Sequence, residues 1–194
     1  MTKSLTQITL FFATILTLAV SSAAITEDGT YALDKDHAHI GFSVSHLGIS
    51  NAVGRFNEFD GSMTFVAGGE STVNFSIRTD SVDTNQKRRD KHLRSDDFFD
   101  VDNFSSIKFV STAVTYTEAG DPKTITGDLT LLTETKSVTF DVTAVGAGAG
   151  PSNKQRAGYT ATTVLKRSEF GMTKFVGIVG EDVTVSVNVE MIKN

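Results

Sequence analysis

Between Asp182 and Ile192 every second residue is apolar. Val183, Val185, Val187, Val189 and Met191 fall on one side, and Thr184, Ser186, Asn188 and Glu190 on the other. Side chains of an extended chain alternate between the two faces of a sheet, so this period describes a strand with one dry and one wet face. A helix, whose faces recur every 3.6 residues, is excluded for this segment. The same period returns in Ile40, Phe42 and Val44, in Val73, Phe75 and Ile77, and in Val138, Phe140 and Val142. Further strands are expected over Thr30–Leu33, Asn51–Val66, Ile107–Thr117, Lys123–Leu132 and Gly158–Arg167. Turn chemistry separates them at Gly48, Ala67-Gly68-Gly69, Ala119-Gly120-Asp121-Pro122 and Gly146–Asn153. Gly54 and Gly61 lie inside one long strand pattern, where a bulge or a bend at a barrel corner is expected.

About eight strands result. A sandwich shares much of this pattern, but long strands with one apolar face leave unpaired edges unless the sheet closes. The reading is therefore all-β, a closed antiparallel β-barrel of about eight strands. One segment departs from it. Ser81–Asp100 is dense in charge, ends in Phe98-Phe99 and reads as a short helical insert over about 83–99. Asp83 followed three residues later by Gln86 resembles a capping box, and Ser95 offers a second N-cap ahead of Asp96 and Asp97.

The chain opens with Lys3, a nearly unbroken apolar run from Ile8 to Val20 and the small residues Ser22-Ala23-Ala24. That is the pattern of a secretory signal peptide cleaved near Ala24, leaving one domain over 25–194 in the periplasm or outside the cell. With no cysteine, neither a disulfide framework nor an N-terminal lipid anchor is available, so no permanent membrane anchor is expected. A net charge of −5 argues against nucleic acid as a partner. The oligomeric state stays open, a dimer included.

The phenylalanines Phe42, Phe56, Phe65, Phe75, Phe98, Phe99, Phe109 and Phe140 fall on the inward parity of strands or in the insert. They either fill a small barrel or line a hollow one, and composition does not separate the two. His37 and His39 share the face opposite Ile40, while His46 falls on the apolar face at its rim. An H-x-H pair lacks the third and fourth ligands that a zinc site needs, so no metal site is expected. Lys87, Arg88, Arg89, Lys91, His92 and Arg94 form either a solvated helix face or a cationic lip at a barrel mouth. No G-x-S-x-G elbow, H-E-x-x-H, phosphate-binding loop or dinucleotide fingerprint occurs, and an enzyme is not expected.

The succession of motifs resembles the YceI-like polyisoprenoid-binding proteins. It begins with Asp34-Lys35-Asp36-His37, His46-Leu47 and Gly54-Arg55-Phe56. The insert follows, with Arg89-Asp90-Lys91-His92-Leu93-Arg94-Ser95 and Asp97-Phe98-Phe99-Asp100, then Gly127-Asp128-Leu129-Thr130 and Arg167-Ser168-Glu169-Phe170-Gly171. Thr133, Ser137 and Ala38 depart from that pattern in a turn and at a strand start. The resemblance implies a lipocalin-like barrel whose channel holds an isoprenoid, a quinone or another long-chain lipid, without cofactor, metal or catalysis. On that reading Phe42, Val44, Phe56, Phe65, Phe98, Phe99, Phe109, Leu129, Leu131 and Phe140 line the channel, and His46, Arg89 and Arg94 meet the head group. The alternatives are a structural or stress-related barrel with a filled core and, behind it, a lipid-modifying enzyme using His46.

Overall fold

The structure, a computed structural model, describes residues 27–66, 69–150 and 153–194. The leader expected over 1–24 lies outside them. Among the described residues ten strand segments are present: β1 (Gly29–His46), β2 (Ser50–Phe56), β3 (Phe59–Phe65), β4 (Thr72–Arg78), the two-residue β5 (Val82–Asp83), β6 (Ser106–Tyr116), β7 (Pro122–Leu131), β8 (Glu134–Ala149), β9 (Gln155–Lys166) and β10 (Val179–Lys193). Neighbours run β10-β9-β8-β7-β6-β4-β3-β1, and β10 pairs with β1 to close eight antiparallel strands into a barrel. β2 adds to the far half of β1, and β5 to β2. The segment expected as one strand over Asn51–Val66 is thus two, broken at Asn57–Glu58. There the Asn57 amide donates to the Ser81 carbonyl, and the Glu58 carbonyl accepts from the Arg78 amide.

Closure relies on irregularities that alternation does not reveal. Between Asp34, opposite Glu190, and His39, opposite Asn188, β1 carries extra residues that bulge out of the ladder. The inward parity switches across them, from Tyr31 and Leu33 to Ile40. A smaller bulge between Ser111 and Ala113 does the same in β6. Such bulges bend strands and raise twist, which a closed sheet needs. Gly54 and Gly61, by contrast, sit in regular ladders opposite Phe42 and Phe75, so neither marks a bulge. Gly146–Ala149 extends β8 where a turn was expected, since Gly146 pairs with Gly158 and Ala149 with Gln155.

The insert is shorter than expected. Its helix, α1, covers only Lys87–Leu93, capped by Gln86, whose side-chain oxygen accepts the Arg89 amide at 2.8 Å. Asp83 does not cap it; one carboxylate oxygen accepts the Asn85 amide, the other the Asn57 side chain. Ser95 starts no second helix. Its hydroxyl donates to the His92 carbonyl, and its own carbonyl accepts the Phe98 and Asp100 amides in a run of turns. The reason is tertiary: Asp83 is held in the β5 ladder opposite Arg55. Among the described residues no helix is long and apolar enough to cross a membrane.

Two apolar clusters divide the interior. Tyr31, Leu33, Met63, Phe65, Tyr159 and Met191 fill one end. Ile40, Phe56, Phe99, Phe109, Leu129 and Phe170 belong to the other, beneath the insert.

Candidate lipid-binding cavity

Beneath α1 the interior is open. A void of about 220 Å³ is bordered by side chains of β1, β2, β4, β6–β10, the insert and the segment after β9. Its wall is apolar throughout. For scale, an engineered 150 Å³ cavity of similar lining stays dry and takes up benzene. Val44, Phe98, Val179 and Val183 border the void next to the exposed loop residues Leu47, Phe175 and Ile178, and so mark its mouth. The Tyr31–Met191 cluster fills the opposite end. The two readings left open by composition each hold for one half of the barrel.

Nine of the ten expected channel residues border this void: Phe42, Val44, Phe56, Phe98, Phe99, Phe109, Leu129, Leu131 and Phe140. Phe65 does not; it lies in the filled end, 5% exposed. The rings brace each other along the wall, Phe56 edge-on to Phe99 with centroids 5.5 Å apart and Phe109 edge-on to Phe140 at 5.4 Å. Such pairs stabilise by about 0.5–1.5 kcal/mol beyond their buried area. Phe98 stands at the mouth, stacked on Phe175 at 6.2 Å with His92 edge-on to both.

The three expected head-group residues are placed differently. His46 is exposed at the end of β1, opposite Ser50 and Val179, and does not border the void. Arg89 donates to the Thr84 hydroxyl (2.7 Å) and carbonyl (2.8 Å). Arg94 donates to the Asp80 and Val82 carbonyls at 2.7 and 2.6 Å. Both guanidinium groups thus tie α1 to the preceding turn. Asp90 completes the knot, accepting the Thr84 amide at 2.8 Å and the Thr84 hydroxyl from inside the fold.

Sequence reasoning missed Arg167. Only 6% exposed, it borders the void, while its guanidinium donates to the Gly180 (2.8 Å), Met172 (2.6 Å) and Val179 (3.1 Å) carbonyls. Burial pushes its pKa below the ordinary arginine value, and the Glu181 charge opposes that shift. The arginine fixes the loop that carries Phe170 and Met172 into the wall. Its place within the Arg167–Gly171 motif was the available signal. Val183, Val185 and Val187 also border the void, on the face their alternation had marked.

The two histidines of the H-x-H pair part company. His37 bonds to Asp34 at 2.9 Å, and these two with Glu190 form a group whose ligand atoms lie within 4.8 Å of one another. Arg156 already supplies a cation there, donating to both carboxylates. His39 is not in that group. Asp34 is held below the usual carboxylate range, first by the His37 hydrogen bond and then by Arg156.

The arrangement can shelter an apolar chain, and the described residues that border it are apolar apart from the inward-bonded Arg167. The sequence matches the YceI-like domain over residues 31–191. It is 46% identical over 159 residues to a protein of Shewanella denitrificans, covering 81% of this chain and 83% of that one. Against Protein YceI of Salmonella agona it is 39% identical over 183 residues, covering 92% and 93%. The fold superposes with a TM-score of 0.65 on a polyisoprenoid binding domain from Saccharophagus degradans, at 14% identity over 84% of this chain and 98% of that one, a likeness of fold. With the match spanning nearly the whole barrel and its mouth, the chain belongs to the YceI-like domain family.

Proposed function

We propose that this protein, after export to the periplasm or the exterior, holds the apolar chain of an isoprenoid or similar long-chain lipid for carriage, storage or sensing, without chemistry. The observation that carries the reading is the void of about 220 Å³ with an apolar wall, filled at one end and open beneath the insert. Burial of each methylene removes about 0.8 kcal/mol of unfavourable hydration, so a prenyl chain gains several kcal/mol for each unit sheltered. No polar group on the wall selects a head group. The void therefore selects for tail, and the head remains at the mouth. The match to a polyisoprenoid binding domain, though one of fold, supports the same class of ligand.

The test is native mass spectrometry of the purified mature protein, followed by delipidation and addition of a short-chain ubiquinone. A lipid adduct as isolated, or stoichiometric uptake of the quinone, is expected. Repeated recovery of empty protein that also rejects the quinone defeats the proposal.

A further inference from the structure

Two loop tips at the open end break a rule of turn chemistry. The β1–β2 turn is closed by the Ile49 amide donating to the His46 carbonyl at 3.2 Å, with Leu47 at φ 56° and Gly48 at φ 69°. Such a turn, left-handed at both central residues, favours Asn or Asp before Gly, because a bulky side chain is strained there. Beside it Phe175 is also left-handed, at φ 57°, and the Leu47 amide donates to the Ile178 carbonyl at 2.7 Å. These tips are not buried. Ile49 is 82% and Val176 69% exposed, and Leu47, Phe175 and Ile178 are exposed as well. A solvated turn gains nothing from strained backbone that presents large apolar side chains. The exposure is relieved once the tips enter an apolar boundary, while the turn holds the side chains outward.

Beside them α1 presents exposed cations. His92 packs against Phe175 with ring centroids 5.6 Å apart. α1 is only about 10 Å long at helical rise. Lys87, Arg88 and Lys91 therefore lie close to the same mouth, and none has a bonding partner among the described residues. Of the other cations here, Lys174 is paired with Asp97, and Arg89 and Arg94 are bonded to the 80–84 segment, so Lys87, Arg88 and Lys91 are the exposed charges left free on α1.

We infer that the open end of the barrel docks reversibly on bilayers containing anionic lipid, the two loop tips entering the headgroup boundary while the unpartnered α1 cations meet lipid phosphates. The inference goes beyond cargo binding and is tested separately from it.

The mature protein is sedimented with vesicles of phosphatidylcholine alone or with 30% phosphatidylglycerol, at 0.05 and 0.5 M NaCl, while native mass spectrometry reports cargo. Partition onto the anionic vesicles at low salt is expected, with strong loss at high salt. The variant Lys87→Gln, Arg88→Gln, Lys91→Gln is expected to bind them about 100-fold more weakly. Ile49→Asp with Val176→Asp is expected to lose at least tenfold. All of these positions are exposed, so thermal melts and cargo occupancy should be unchanged. The inference is overturned if the wild type ignores anionic vesicles, or if both variants bind like it. It also fails if the protein is a stable dimer whose assembly shields residues 47–49 and 175–178 from hydrogen exchange. Loss of cargo with docking intact would count against the lipid-chain reading alone.

Discussion

Phe42 and Gly54 are partners across the β1–β2 ladder, and the Phe42 ring fills the place where a side chain at 54 would stand. A Cβ built on Gly54 falls 2.3 Å from the ring's Cζ. Phe75 leans over Gly61 in the same way, at 2.7 Å, and Phe109 over Gly127, at 2.6 Å. Each ring is thereby accommodated against a neighbouring strand. That placement leaves room for the void these phenylalanines border.

Adding a methyl at these glycines should push rings inward. At Gly54 the nearest atom is the far end of the Phe42 ring, which can swing toward the void, whereas at Gly127 the Val110 carbonyl oxygen lies 2.5 Å away and cannot shift. Gly127→Ala is therefore expected to destabilise by about 3 kcal/mol and Gly54→Ala by nearer 1, the range of overpacked cores. Urea unfolding measures the difference. Gly54→Ala should also lower lipid occupancy, and equal costs at the two sites would contradict the account.

Filling the void should separate binding from folding. Ala161 on β9 borders it and is half-buried. Ala161→Phe is expected to abolish lipid uptake while leaving the melting temperature equal or higher, because an existing hollow is filled. A variant that still loads lipid to full stoichiometry would place the ligand elsewhere.

Asp90 anchors the insert. It is 7% exposed, as is Thr84, whose amide and hydroxyl it accepts. Asp90→Ala leaves those buried donors without a partner and is expected to cost about 2–3 kcal/mol. Asp90→Asn keeps an acceptor and should cost less. Hydrogen exchange should show the loss concentrated in residues 82–99.

The Asp34–His37 pair gives stability a pH window. The hydrogen bond to Asp34, with its charge, raises the His37 pKa above its ordinary value near 6.5, and Asp34 is depressed in return. The histidine's contribution is fully present below about pH 6.5 and is lost as pH rises through the raised value. The aspartate's contribution is present above about pH 3.9 and is lost as pH falls through the depressed one. Melting temperatures from pH 3 to 9 should therefore peak in the weakly acid range. Asp34→Asn should flatten the alkaline limb and lower the His37 titration, followed by NMR, toward its ordinary value.

Alternation alone carried most of the barrel. The inward faces of β8 and β10, the break at the insert and most of the strand residues that border the void follow from a two-residue period, a property each segment holds locally. The bulge in β1 is also legible in retrospect, since Tyr31 and Leu33 are odd-numbered and Ile40, Phe42 and Val44 even. Helix boundaries were read less well. Asp83 has the chemistry of a cap, and only its pairing opposite Arg55 removes it from that role.

What the chain determined by itself is a closed, one-sided sheet with a charged helical interruption and an apolar inward face. Whether that face met across the axis or stood apart was settled by neighbours distant in sequence. Arg89 and Arg94 turn onto the backbone of 80–84, Arg167 fixes the late loop, and Gly54, Gly61 and Gly127 receive rings from adjoining strands. Parity is a short-range consequence of extended backbone, whereas a cavity is the volume left when non-local surfaces pack, and only the closed barrel decides it.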